Sequence, residues 1–379
     1  MNTEKLYSIC EVIHRDFTEN KPIEYLNQIV KALQNVVNNP SDSNQQNNIA
    51  TQRRNLQNAL NKSYANDLSP AWRQMLKEIG GSEFVGKELL TRIDNIFGRN
   101  QITPAAALQE MKELQQQVSK FQAGVNSIIQ GFDDLGLKKD ELEENHSEIG
   151  FLIPRDFIDN DLKTLGNEIH EISFILNHIR EFVTGEKESF KIKSLSSSDP
   201  FITITTETVL WVYVFARAVD WLLSEYKKLL DIRKLHNELK EKGLSKGSLK
   251  GIEEHADELM EKAVDKIVIE IDKEHYGGND PQRRNELKNG LRIGFNKLVN
   301  RFDKGYNVEI RISEPDVPEK EEEQKKADKD KLKLYEEIHD LTKKIEFMKV
   351  EGESILSLPE GDKDKSKKTA SEKKPDLKL

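Results

Sequence analysis

A single cysteine, Cys10, stands among 379 residues, so no disulfide can close within the chain and no cysteine-based zinc cluster can form. That usage fits a reducing compartment, and the expected location is the cytoplasm. Long apolar runs are equally scarce. The uninterrupted run at 209–216 stops at Arg217, far short of the ~20 apolar residues that span a bilayer. The opening segment MNTEKLYSICEVIHRDF lacks a basic start followed by an apolar core. Its Leu6, Ile9, Ile13 and Phe17 are spaced along one helix face, so a secretory signal is not expected. Positive charge is not in excess either. Lys and Arg number 58 against 67 Asp and Glu, for a net charge of -9, which argues against a general nucleic-acid surface, and no nucleic-acid partner is expected. The glycines of GLSKGS lack the spacing of a phosphate-binding loop, so nucleotide hydrolysis has no motif to rest on and no cofactor is expected.

What remains is a chain with 36% hydrophobic and 33% charged residues, a balance that suits elongated helical packing with much surface per residue. Residues 1–100 read as several short amphipathic helices separated by polar joints, with residues 38–48 (NNPSDSNQQNN) as the clearest joint. Ser69 and Pro70 mark a helix start, and Gly80 and Gly81 its end. From Pro104 onward Met111, Leu114, Val118, Phe121, Val125, Ile128 and Phe132 recur at steps of three and four, the seam of a long helix. The rhythm returns at Ile158, Leu162, Leu165, Ile169, Ile172, Leu176, Ile179 and Val183, with Gly185 as the cap. Two such seams, joined by roughly twenty residues that contain Gly136, Gly150 and Pro154, predict a long antiparallel heptad hairpin.

Period-two alternation then predicts strands at 190–195 and 201–206, joined by a Ser-rich turn, and at 306–312. These make a small three-stranded sheet. The intervening stretch is helical from about 208 to 242, amphipathic after its first turns, and further helices follow through Ile252, Leu259, Ala263 and Ile267 and over 281–302. Predicted segments are 1–100, an N-terminal helical region; 103–245, the hairpin, strands and apolar helix; and 248–313, a helical pair ending in the third strand. A charged linker with a short amphipathic helix occupies 314–358, and 359–379 has the Lys, Ser, Asp and Pro bias of a disordered tail. The fold class is therefore mainly α, an elongated helical bundle with a minor β element.

Candidate sites are few. Trp211, Tyr213, Phe215 and Trp221 lie on the apolar helix and read first as core, next as a partner or self-assembly surface, and last as a membrane contact. Gly277, Gly278, Arg283 and Arg284, in EHYGGNDPQRRNE, could hold an anion at exposed N–H groups with the arginines assisting; the plainer reading is a helix–helix turn. His170 and His178 share a helix face but stand eight apart, whereas a zinc protease motif needs histidines four apart around a glutamate. They read as bundle-edge residues, and no metal is expected. Close carboxylates abound among 67 acids and discriminate nothing. SLSSSDP has no nucleophile-elbow pattern.

The run EIGFLIPRDFIDNDLKTLGNEI, followed by SLSSSDPFITI and the apolar helix, resembles a pattern in uncharacterised bacterial proteins over residues 148–239. The resemblance implies a bacterial source and brings no activity. The expectation is a non-catalytic scaffold or assembly protein that binds itself or a protein partner through heptad faces. A membrane-acting effector using residues 190–223 is the first alternative, and a component of a bacterial conflict system against phage the second.

Overall fold

A computed structural model describes residues 3–361 apart from 41–42, 144, 188, 197–199, 208, 279 and 314–321. The protein is mainly helical, and it divides into two compact units, Met1–Glu141 and Leu142–Leu379.

The first unit is all helix: α1 (Thr3–Glu19), α2 (Pro22–Asn38), α3 (Ser43–Asn61), α4 (Pro70–Glu78), α5 (Gly86–Arg99) and α6 (Pro104–Asp134). Proline opens α2, α4 and α6, where a missing N–H costs no hydrogen bond. The seam of α6 is covered. Met111, Leu114, Val118 and Val125 are buried against residues of α1, α2 and α5, while Phe121, Ile128 and Phe132 pack half-buried at the margin. Asp16 of α1 is buried and accepts hydrogen bonds from Ser63 Oγ (2.6 Å), Tyr64 N–H (3.1 Å) and Asn20 Nδ2 (2.7 Å). Three donors satisfy a charge that would otherwise be costly inside. The polar joint expected over 38–48 is shorter than its composition suggested, because α3 already begins at Ser43.

The second unit sets helices on a sheet. Its elements are β1 (Ser147–Leu152), α7 (Arg155–Ile158), α8 (Leu162–Thr184), β2 (Lys191–Ser196), β3 (Phe201–Thr206), α9 (Val209–Lys227), α10 (Leu230–Glu241), α11 (Lys246–His275), α12 (Pro281–Asp303), β4 (Asn307–Ile312) and α13 (Glu322–Lys344). The strands run in the order β2-β3-β1-β4, all antiparallel. Ile149 of β1 stands between Ile204 and Ile310, and Phe151 between Ile202 and Val308, so period-two alternation turns six buried side chains toward the helices. Phe151 meets Phe215 of α9 with ring centroids 6.2 Å apart.

Three expectations need correction. The sheet has four strands, not three: β1 was read as part of the joint between the seams, yet it lies between β3 and β4. The two predicted seams fall in different units, α6 in the first and α8 in the second. α6 packs on α1 and α2 in the first unit, whereas α8 packs on α12 and α9 in the second. A heptad stripe marks a face that will be buried without saying by what. The single helix expected to about 242 is two, broken at Lys228 and Leu229. The tail expected at 359–379 and the linker start fall largely on 362–379 and 314–321, outside the described residues, as do Ser197 to Asp199 of the predicted turn.

Candidate functional site

The aromatic residues of α9 do not share one surface. Trp211 and Phe215 are fully buried; Trp211 packs on Phe190 at 5.5 Å. Tyr213 and Trp221 are half-buried along α11. The Trp221 Nε1 donates to the Ala263 carbonyl (3.1 Å), and Lys266 Nζ sits 4.3 Å from the ring centre, while Tyr213 meets His275 edge-on at 5.9 Å. No helix among the described residues is long and apolar enough to cross a membrane.

The 277–284 turn is a tight joint between α8, α11 and α12. The Gly277 N–H donates to the Phe182 carbonyl (3.0 Å), and a Cβ there would come within 2.1 Å of the Val183 oxygen. Only glycine allows that approach. Gly278 lies against the Tyr276 ring, whose hydroxyl donates to the Asp280 carbonyl (2.8 Å). The two arginines are engaged by acids. Arg283 bonds Glu181 and Glu286 (2.8 Å to the latter), and Arg284 bonds Asp272 (2.6 Å), which Lys288 also reaches (2.8 Å). Burial opposes the charge on Asp272, but these two cations outweigh it and hold the carboxyl below its usual range. His170 is exposed, and His178 bonds the Phe174 carbonyl (2.8 Å), with burial lowering its pKa. No group of three His, Cys, Asp or Glu among the described residues is placed to hold a metal.

Sequence reasoning missed two features of the second unit. One is an apolar hollow of about 320 Å³ at the start of α8, lined by Ile158, Leu162, Leu165, Leu195 and Pro200 and rimmed by Arg155 and Asp161. Leu162, in its wall, is 82% exposed, and Ile192 and Leu195 of the edge strand are each 56% exposed. Both isoleucine and leucine pair in register with the core-facing Ile204 and Ile202, so they extend the sheet's apolar side beyond its helical cover. The edge itself is blunted. β2 carries a register shift between Ile192 and Ser194 and two lysines, devices that discourage strand addition.

The other is a strap. After α13 the chain runs without helix or strand over 345–361 and lies across α10, α11 and α12. Ile355, Leu356 and Leu358 are buried. The backbone of the strap is read by side chains. Asp303 accepts the N–H groups of Ile355 (2.6 Å) and Leu356 (2.8 Å), and Asp257 that of Ser357 (2.8 Å). Asn300 both accepts from and donates to Leu358, and Asn296 donates to the Pro359 carbonyl (2.9 Å). Arg233 donates to the carbonyls of Glu351 (3.0 Å) and Gly352 (2.8 Å).

Two buried ion pairs brace this region. Arg233 and Asp303 pair beneath Tyr226, whose hydroxyl donates to Asp303 (2.8 Å). Arg301 pairs with Glu168 through two bonds (2.8 and 3.1 Å), and the Tyr306 hydroxyl donates to the same carboxylate (2.7 Å). Burial, reinforced by the neighbouring carboxylates, pushes both phenols well above their usual range. They remain donors at neutral pH. Each group is consumed by its partner, so the clusters are built to hold position rather than to exchange protons. A signal for them was present: Asn296, Asn300 and Asp303 share one face of α12, opposite a face of Leu291, Phe295, Leu298 and Phe302 that is wholly buried.

Comparison with protein families, curated proteins and solved structures finds no match to this chain. The resemblance over 148–239 therefore gains no family, activity or partner from it.

Proposed function

We propose that the protein is a non-catalytic assembly subunit that associates with a second copy of itself through the hollow beside α8. The observation that carries this reading is Leu162, which is 82% exposed although it forms part of the wall of an apolar hollow. Under a two-fold axis the leucine of each copy fills the hollow of the other, the reciprocal arrangement of an isologous interface. The interaction falls at the start of the second seam, where Leu162 is left exposed, while Ile172, Leu176, Ile179 and Val183 further along it are buried within the unit.

A membrane-acting role finds no favour in this geometry, because Trp211 and Phe215 would have to leave a packed core. Light scattering over a concentration series tests the assembly reading. A dimer that falls to monomer in the Leu162→Asp/Leu195→Asp double variant is expected; a wild-type mass that stays monomeric at several hundred micromolar sinks it.

A further inference from the structure

The strap is held in an unusual way for a piece of core. Between described residues, its segment 348–360 makes no backbone-to-backbone hydrogen bond; the N–H groups of Met348, Glu353, Ile355, Leu356, Ser357 and Leu358 donate to side chains instead. Where the strap begins, Asn307 accepts the Met348 N–H (2.6 Å) and donates to its carbonyl (3.2 Å). Asn300 repeats that exchange at Leu358. Each amide side chain acts as a fragment of a neighbouring strand. Main-chain reading of this kind, with pockets for a few side chains, is how grooves bind extended peptides.

The chemistry of α12 supports the same conclusion. A helix that needed only a permanent cover would present leucine and isoleucine on this side as it does on the other. It presents Asn296, Asn300 and Asp303 instead, 4%, 5% and 0% exposed beneath the strap. Polar groups on a groove floor are satisfied by the strap when it is seated and by water when it is not, so uncovering them costs little. The apolar part of the floor, where Ile355, Leu356 and Leu358 join the core, sets the cost of opening.

We propose that the groove between α10, α11 and α12 is a peptide-binding cleft, occupied here by the chain's own 348–360 segment, and that it accepts in trans an extended peptide of the same chemistry. That peptide carries two adjacent aliphatic residues, a third two positions later, then proline and an acid, as Ile355, Leu356, Leu358, Pro359 and Glu360 do here. The glutamate fits because Asn300 Nδ2 lies 2.8 Å from its carboxylate and Lys297 and Arg301 stand at 3.6 and 3.7 Å. Gly352 sets the entry. Its φ of +76° and its contact with Asn237, where a Cβ would come within 2.4 Å of Nδ2, bend the strap over α10. This inference stands apart from the hollow beside α8 and does not depend on it.

The test uses full-length protein and a fluorescein-labelled synthetic peptide of residues 348–361, followed by anisotropy. In the wild type the tethered strap competes at an effective concentration near millimolar, so trans binding is expected to be about 100-fold weaker than in a strap-released chain. Ile355→Asp/Leu358→Asp releases the strap by charge, and Gly352→Ala loosens it without placing charge in the groove. Hydrogen exchange identifies the chains in which 348–360 is released while α12 stays protected. Saturable binding to those chains, abolished by Asn300→Ala and by replacing the three aliphatic anchors of the peptide with serine, supports the cleft. A released strap over a protected α12 with no peptide binding overturns it. So does binding that ignores the anchors, and so does loss of α12 protection in both variants, which would make the strap a fixed part of the core.

Discussion

Asn300 and Leu358 exchange two hydrogen bonds: the Leu358 N–H donates to Asn300 Oδ1 at 2.9 Å, and Asn300 Nδ2 donates to the Leu358 carbonyl at 3.0 Å. Both residues are buried. Truncating the asparagine leaves an N–H and a C=O without partners away from water, at a cost of about 1–3 kcal/mol for each group left unsatisfied. Asn300→Ala is therefore expected to raise the exchange rate of the Leu358 amide while amides of α6, in the other unit, keep theirs. Unchanged exchange at Leu358 would show that the pair does not hold the strap.

The Glu168–Arg301–Tyr306 cluster behaves differently from a surface ion pair. Glu168→Ala strands a buried guanidinium and a phenol, and a loss of about 3–5 kcal/mol is expected in urea unfolding. Glu168→Gln keeps an acceptor and should lose less. Equal losses in the two variants would mean that packing, not charge, sets the value of this site.

Phe215→Ala opens a cavity between α9 and β1 and is expected to cost about 3–5 kcal/mol. The check is chemical denaturation followed by tryptophan fluorescence. A near-neutral result would place Phe215 at a surface and revive an external role for α9.

Cys10 is wholly buried, and burial, aided by Glu11, pushes its thiol up to about 11. Reaction with a thiol reagent at pH 8 should therefore be slow in the folded protein and immediate in denaturant. Fast labelling without denaturant would contradict the packing of α1.

Asp272 gives a pH signature. Its folded-state pKa lies below the ordinary aspartate value of 3.8, so its pairing with Arg284 and Lys288 stabilises the fold above that value and is lost as pH falls through the folded pKa. The difference in melting midpoint between wild type and Asp272→Asn should thus be present at pH 7 and shrink below about pH 3.8. A difference that grows on acidification would reverse the assignment.

Helix ends were the most legible part of the fold. Pro104, Pro281 and Gly185 at φ +78° all mark boundaries by local chemistry that no distant contact alters. β1 was illegible for a physical reason. Gly150 and Pro154 read as turn residues, yet Gly150 lies within a strand because the Phe201 ring covers it, where a Cβ would come within 2.4 Å of Cζ. The partners of the two seams could not be read, since spacing reports a buried stripe and not its cover. Of the aromatic residues of α9, Trp211 and Phe215 lie in the core, whereas Tyr213 and Trp221 are half-buried. The strap left no periodicity because its backbone carries the recognition, and its only trace is the amide and acid face of α12.

The position of β1 has a consequence for synthesis. It emerges before every other strand, but its neighbours begin at Phe201 and Asn307, so its second edge stays unpaired on the ribosome until the last strand appears. Closing such long loops is slow, and an unpaired strand edge invites misassembly. The first unit, complete by residue 141, can close its own core long before then. Nascent chains halted between β3 and β4 should therefore hold a folded front and an unfinished rear, and these are the lengths at which a chaperone would matter most.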